Sequence, residues 1–177
     1  MMKQKGNIPI FLIIIILAAG AAVYFFVKSN MPTFQNLYPS PAPSPTNIVA
    51  LKTFQSRTMK FMIQVPDAFE LKDNITDVDL KTPLGKITIV KNGTNFNNLR
   101  TYIADFDSKR KLEVNENKWE TINDNEALSR LVHFIDSDVK QKSYYIYSNY
   151  NVFIISTTSE SLYSDLNQIA QSFRYIP

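Results

Sequence analysis

The sequence contains a single histidine, His133, that could take part in acid–base or metal chemistry. It contains no cysteine, which excludes disulfides, thiol catalysis and lipid attachment through a cysteine. A serine-type triad or a zinc site would need carboxylates and hydroxyls as further members, and none stands at a recognised spacing from His133. The apolar residues around it favour a strand histidine with a local hydrogen bond. We therefore predict no catalytic residue, no metal ligand and no cofactor.

A second candidate is a cluster of four side chains that carry the oxygen ligands calcium prefers: Asp73, Asn74, Asp77 and Asp79. Their spacing departs from the EF-hand loop, which has a glycine at its sixth position and a glutamate at its end. On a strand, Asp77 and Asp79 would point to the same side. A solvated sheet face is the simpler interpretation, and the sequence leaves calcium binding open.

The best candidate for an interaction surface is a group of four tyrosines: Tyr144, Tyr145, Tyr147 and Tyr150. Tyrosine is enriched among the residues that dominate the binding energy of protein interfaces. Along a strand, Tyr145 and Tyr147 would point to one side and Tyr144 to the other, so part of the group must belong to the core. We expect the remainder to contact a partner such as another envelope protein.

The distribution of charge argues against a nucleic-acid partner, although the isoelectric point is near 9.0. Residues 48–177 contain 16 basic and 16 acidic side chains, so this part of the chain is neutral. The excess positive charge comes from Lys3, Lys5 and Lys28, which flank a hydrophobic segment. A nucleic-acid-binding domain needs a net basic footprint, and residues 48–177 lack one.

The hydrophobic segment, residues 8–27, contains twenty residues without a charge. A helix of that length spans about 30 Å, the thickness of the hydrocarbon core of a bilayer. A cleaved signal peptide is the alternative, but the apolar run is longer than the usual signal-peptide core. We predict a single-pass transmembrane helix after a short cytoplasmic tail, residues 1–7. Two lysines before the helix and one directly after it favour a cytoplasmic N-terminus and a C-terminal domain outside the cytoplasm.

Residues 28–47 are predicted to form a linker rich in proline and serine. Prolines at alternate positions from 39 to 45 favour an extended polyproline II conformation, because each proline also keeps its predecessor out of the helical region. At about 3.1 Å per residue, such a linker would hold the domain up to roughly 50 Å from the membrane. A docking ligand for a proline-recognising module is the alternative.

The domain that follows, residues 48–177, mixes two hydrophobic periodicities. Apolar residues at helical spacing predict two amphipathic helices, at 97–110 and 160–173, the first capped by Asn95 or Asn97. Strand-like runs lie at 59–65, 75–82, 86–91, 119–122, 127–136, 140–148 and 151–159. This order predicts an α+β fold, an antiparallel sheet with covering helices.

Three local features accompany this order of elements. The strand Phe61–Pro66 ends in proline and is followed by Phe69, an alanine comes directly after a turn in Asn123–Ala127, and the last helix leads into Ser172–Tyr175. Over roughly residues 54–176, the chain resembles the PsbP-like fold, an α/β/α sandwich named after an extrinsic subunit of the photosynthetic oxygen-evolving complex. The resemblance implies a non-enzymatic domain that binds or stabilises an assembly. It matches no functional residues, so photosystem function is not carried over.

We therefore expect a membrane-anchored, extracytoplasmic, non-catalytic interaction or assembly module. The alternative is an extracytoplasmic enzyme of hydrolase type that uses carboxylates near His133. An enzyme would need a deep pocket with converging polar groups, whereas an interaction module would show a shallow, tyrosine-rich patch.

Overall fold

The computed structural model describes residues 50–177. The predictions for the cytoplasmic tail, the transmembrane helix and the linker concern residues 1–47 and lie outside the described residues. Within residues 50–177, no helix combines the length and the apolar character needed to span a membrane.

The described residues form ten strands, two α-helices and one 3₁₀ turn. The strands are β1 (Leu51–Ser56), β2 (Phe61–Pro66), β3 (Glu70–Asp73), β4 (Asp77–Thr82), β5 (Gly85–Gly93), β6 (Leu112–Ile122), β7 (Asn125–Phe134), β8 (Val139–Ser148), β9 (Asn151–Thr157) and β10 (Arg174–Tyr175). Helix α1 (Leu99–Ser108) connects β5 to β6, and α2 (Tyr163–Gln171) follows the 3₁₀ turn Glu160–Leu162.

The strands are arranged in two antiparallel sheets. The smaller sheet has the order β1-β2-β10, and the larger one has the order β3-β4-β5-β9-β8-β7-β6. Neighbours in the larger sheet are joined by hairpins except at its centre, where β9 pairs with β5. The chain therefore builds one side of the larger sheet before α1 and the other side after it.

The two faces of the larger sheet are covered by different elements. On one face, α2 and the smaller sheet enclose a cluster of 20 buried residues. On the other face, Leu99 and Ile103 of α1 pack on Leu128, Tyr145 and Val152. Alternate residues of each strand supply the two faces, as the pleat requires. The α+β prediction is confirmed, in a structure richer in strands than the sequence suggested.

Strand β2 connects the smaller sheet to the main core. Met59, Phe61, Ile63 and Val65 are all at most 1% exposed, which confirms the predicted apolar face. The Phe61 ring lies 5.9 Å from the Phe153 ring and 5.8 Å from the Phe173 ring, between centroids. The strand itself begins only at Phe61, because Lys60 adopts a left-handed φ of 61°.

Two hairpin turns at one end of the larger sheet adopt left-handed conformations without glycine. Asn123 and Asp124 join β6 to β7 with φ values of 45° and 66°, and Asn149 and Tyr150 join β8 to β9 with φ values of 47° and 56°. Asparagine and aspartate tolerate this region because their short polar side chains hydrogen-bond locally. Tyrosine has no such compensation, so Tyr150 is the exception.

The structure corrects several predicted boundaries. The cap of α1 is Asn98 rather than Asn95 or Asn97, and its Oδ1 accepts a hydrogen bond from the Thr101 N–H at 2.9 Å. Strand β6 begins at Leu112 and not at residue 119. Three strands, β1, β3 and β10, were not predicted. They are exposed edges or very short segments, which leave little apolar alternation in the sequence.

Candidate functional site

His133 lies on β7, close to the turn that leads into β8, and its side chain is 26% exposed. Its Nε2 is 2.8 Å from an Asp138 carboxylate oxygen, and its Nδ1 is 3.9 Å from a Glu113 carboxylate oxygen. The predicted local hydrogen bond is therefore present. The Asp138 and Glu113 side chains are 93% and 65% exposed, so the group faces solvent at the end of a hairpin.

Asp79, a member of the predicted acidic cluster, is engaged by neighbours on β5. Its carboxylate accepts a hydrogen bond from Thr88 Oγ1 at 3.1 Å and lies 3.2 Å from Lys86 Nζ. Burial alone would raise the pKa of Asp79, but the hydrogen bonds from Lys86 and Thr88 outweigh it and keep the pKa below its ordinary value. Asp79 therefore acts as one half of an ion pair on the sheet face.

The other members of the acidic cluster are bonded within the β3–β4 hairpin and to the end of β1. Asn74 Nδ2 donates to Asp77 at 2.8 Å, and Ser56 Oγ donates to Asp73 at 3.3 Å. In the part of the chain that the structure describes, no three imidazole or carboxylate side chains are grouped closely enough to hold a metal ion. Asn74 and Asp77 are thus bonded to each other, whereas Asp73 and Asp79 are bonded to residues outside the cluster.

The four candidate tyrosines do not form one surface. Tyr144 and Tyr145 are 5% and 1% exposed and point to opposite faces of the larger sheet. Tyr144 donates its hydroxyl to Asn167 of α2 at 3.0 Å, whereas Tyr145 packs beneath α1. Tyr147 is half-buried on the α1 face, and Tyr150 is 57% exposed in the β8–β9 turn. The interaction candidates are thereby reduced to Tyr147 and Tyr150.

Tyr150 lies beside the loop that connects β5 to α1. The Thr94 N–H donates to the Tyr150 carbonyl at 2.9 Å, and the Tyr147 hydroxyl donates to the Phe96 carbonyl at 2.9 Å. Burial is the main reason why the pKa of the Tyr147 hydroxyl is raised; the Tyr150 hydroxyl adds to the rise and the Tyr150 backbone opposes it. We call residues 93–98 and 149–151 together the tip surface. No sequence pattern indicated that the loop and the turn meet.

An ion pair beneath α1, with a buried arginine, has no signal in the sequence. The Arg130 side chain is only 2% exposed, and its two terminal nitrogens lie 2.8 and 2.9 Å from the two carboxylate oxygens of Asp107. Asp107 belongs to the last turn of α1 and Arg130 to β7. The two-pronged geometry is the strong form of this interaction. It fixes the C-terminal end of α1 to the sheet.

Two open, polar clefts lie at opposite ends of the central strands. One, of about 430 Å³, is bordered by Lys86, Thr88, Gln141 and Ser156 among others. The other, of about 370 Å³, lies at the end that carries the two left-handed turns and includes Arg174. Neither is lined by His133, Tyr147 or Tyr150.

No protein-family model and no curated protein matches this sequence. Among solved structures, the chain is similar to the solution structure of cyanobacterial PsbP (CyanoP) from Synechocystis sp. PCC 6803. The TM-score is 0.51 and the identity 9%, and the match covers 76% of this chain and 97% of CyanoP. The chain has a PsbP-like fold. At this identity the PsbP-like similarity establishes the fold alone.

A crystal structure from Bacteroides thetaiotaomicron VPI-5482 is similar at a TM-score of 0.49 and 12% identity, over 71% of this chain and 48% of that chain.

Proposed function

We propose that the PsbP-like domain is a non-catalytic interaction module, held outside the cytoplasm by a transmembrane helix formed by residues 8–27. The observation that carries this proposal is the separation of charge along the chain. Residues 8–27 contain no charge, whereas residues 48–177 are rich in charge but balanced. A helix with the first composition is stable in lipid, and a domain with the second composition is stable in water.

The chemistry of the described residues supports a binding role over a catalytic one. Charged side chains on the larger sheet form ion pairs with each other, as Asp79 does with Lys86 and Arg130 does with Asp107. The clefts described above are open and do not bring His133 together with a nucleophile or a metal-binding group. The PsbP-like fold is compatible with this role but does not specify it.

One observation favours a second candidate, an extracytoplasmic enzyme of hydrolase type. His133 lies between two carboxylates, Asp138 and Glu113, and a histidine held by a carboxylate is the usual arrangement of a general base. Screening the purified protein against chromogenic ester, phosphate and glycoside substrates tests this candidate. Activity that is lost in His133→Ala, but kept when the cross-strand neighbour is changed in Lys140→Ala, would replace our proposal.

The membrane attachment and orientation of the protein test the proposed anchor directly. We expect a C-terminal reporter that is active only outside the cytoplasm to be active, and a reporter that is active only in the cytoplasm to be silent. The full-length protein should stay in the membrane during an alkaline carbonate wash. A double substitution, Ile14→Lys with Ile15→Lys, should release it, because each charge costs about 2.5–3.5 kcal/mol at the centre of a helix. The opposite reporter pattern, or release of the unmodified protein, would reject the proposal.

A further inference from the structure

The tip surface differs from the rest of the domain in charge. Its nine residues, 93–98 and 149–151, include no charged side chain, although residues 48–177 carry 32. They comprise two aromatic residues, five asparagines, a glycine and a threonine. Depletion of charge and enrichment in aromatic residues mark the centres of protein interfaces. Tyrosine, glycine and asparagine also dominate antibody binding loops, where they supply rigid contact area and adaptable hydrogen bonds.

The backbone at Tyr150 is the second observation. A tyrosine at a φ of 56° is strained, whereas glycine or asparagine at the same position of a two-residue hairpin would be relaxed. The equivalent turn between β6 and β7 uses Asn123 and Asp124 and avoids the strain. The Tyr150 side chain is 57% exposed, so it does not compensate the strain by filling the core. Strain that packing does not repay is characteristic of functional positions.

The tip surface is also held rigidly. The Thr94 N–H bonds the loop to the turn, and the Tyr147 hydroxyl bonds the loop to β8. Thr94 Oγ1 accepts from the Phe96 N–H at 3.1 Å, and Asn98 caps α1. A surface ordered before association loses less conformational entropy when it binds.

The position of the tip surface suits a domain that is tethered from one side. The described chain enters through β1, where Leu51 pairs with Pro66 at one end of β2. At the other end of β2, Phe61 pairs with Tyr175, whose hydroxyl accepts from Asn149 Nδ2 at 3.0 Å. Since β2 is six residues long, the two ends are about 17 Å apart. The tip surface therefore lies at the end away from the chain entry.

From these observations we propose that the tip surface binds a folded extracytoplasmic protein, with Tyr150 inserting into an uncharged, concave site on that partner. The inference rests on the proposed function, because it assumes an anchored interaction module. A charged groove in the partner would have to be desolvated against a surface that offers no opposite charge, so an uncharged site is the complementary one. Tyr147 and Phe96 would surround the central contact and exclude water from it.

Site-specific photo-cross-linking of the full-length protein in its native membranes tests this surface. A photoreactive benzoylphenylalanine replaces Tyr150, and in matched controls it replaces Leu84 or Ile75, which are 62% and 83% exposed. Leu84 lies in the β4–β5 turn, at the opposite end of β5 from the tip surface. We expect one discrete protein adduct from position 150 and none from the two controls.

Pairwise binding with the purified cross-linked partner completes the test. Tyr150→Gly should weaken the affinity at least tenfold without lowering the midpoint of thermal unfolding. Asp124→Gly, which places glycine at the equivalent position of the β6–β7 turn, should leave the affinity within twofold. An affinity loss below twofold for Tyr150→Gly would overturn the proposal.

The cross-linking outcomes separate this proposal from the proposed function. An adduct of twice the chain mass would identify a second copy of this chain as the partner. A protease-resistant smear would identify a glycan. Either result would overturn the proposal that the tip surface binds a different protein. Adducts from Leu84 or Ile75 but not from position 150 would leave an interaction module that uses another surface. Absence of adducts from all three positions would count against both proposals.

Discussion

The two faces of the larger sheet are packed with different kinds of side chain. The face under α2 and the smaller sheet is packed by 20 buried residues, nearly all of them aliphatic or phenylalanine, with Tyr144 as the single tyrosine. The face under α1 has five buried core residues, one of them a tyrosine, and a buried arginine that requires a charged partner. The first face is held by apolar burial, which is not directional. The second depends on specific polar geometry.

This difference indicates which face of the larger sheet can change more easily to serve a function. Helix α1 has ten residues and places only Leu99 and Ile103 in the core. The loop before it belongs to the tip surface, while the Asp107–Arg130 pair fixes its other end. The α2 face can therefore supply most of the stability of the domain. The α1 face carries the two features that distinguish this domain from a simple sandwich, namely the tip surface and the Asp107–Arg130 pair.

The largest effect is expected on the α2 face. Phe153→Ala should lower the free energy of unfolding by about 3–5 kcal/mol, because it leaves a cavity in a fully buried aromatic cluster. The Phe153 ring lies 4.9 Å from the Phe173 ring and 5.9 Å from the Phe61 ring, between centroids, so the three rings contact one another. Urea unfolding of the wild type and the variant measures the change. A loss below about 1 kcal/mol would mean that this cluster is not the main source of stability.

On the α1 face, the critical interaction is the Arg130–Asp107 pair. Asp107→Ala should lower the free energy of unfolding by about 2–4 kcal/mol, because it leaves the Arg130 guanidinium buried without its counter-charge. The loss is smaller than for a fully buried pair, because the Asp107 side chain is 34% exposed and solvent screens its charge. Thermal and urea unfolding provide the measurement.

A double substitution shows whether the charge itself is responsible. Asp107→Leu together with Arg130→Met should recover most of the lost stability, because apolar residues of similar size often replace a buried ion pair at little cost. If the double variant is as unstable as Asp107→Ala, the shape of the pair rather than its charge holds α1 in place.

Alkaline pH should weaken the α1 face through Tyr145. Burial raises the pKa of Tyr145 to about 12, above its ordinary value of 10.0. The folded state thus holds this proton more tightly than the unfolded state does. The resulting stability is fully present below pH 10, and about 2–3 kcal/mol of it is lost as the pH rises from 10 to 12. Urea unfolding at several pH values across this range measures the loss.

Tyr145→Phe is the matched control for the alkaline effect. It keeps the ring that packs against Phe106, at 5.8 Å between centroids, and removes the ionisable group. The pH dependence between 10 and 12 should become shallower by the contribution of one group. An unchanged slope would assign the alkaline loss to other residues.

The sequence predicts the α2 face well and the α1 face poorly, for a physical reason. Strict alternation in Phe61–Val65 and the stripe Leu162, Leu166, Ile169 and Phe173 predict buried faces, and all of these stripe residues are at 0% exposure. From the sequence alone, Arg130 would be placed on the surface, because its partner Asp107 is 23 positions away and on another element. Edge strands such as β6 are exposed along most of their length, so periodicity reveals only their last residues.

The candidate site was predicted only in part. The local hydrogen bond of His133 follows from its short-range sequence context, and the structure confirms it. The grouping of the four tyrosines could not be resolved, because alternation separates Tyr144 from Tyr145 but does not say which face is covered. The meeting of residues 93–98 with the β8–β9 turn depends on the β5–β9 pairing, which joins segments about sixty residues apart.

The smallest predicted effect compares the two left-handed turns at one end of the larger sheet. Tyr150→Gly should raise the free energy of unfolding by about 0.5 kcal/mol, because relief of left-handed strain, about 1–2 kcal/mol, outweighs the greater flexibility of glycine in the unfolded chain. In the sister turn, Asp124→Tyr should lower it by about 1 kcal/mol, since it introduces the strain that Tyr150 carries. Chemical unfolding of both variants beside the wild type gives the two values with opposite signs. Were Tyr150→Gly instead to destabilise the domain by more than about 1 kcal/mol, the tyrosine would be retained for packing. The strain at Tyr150 would then not be retained for binding, even with the fold intact.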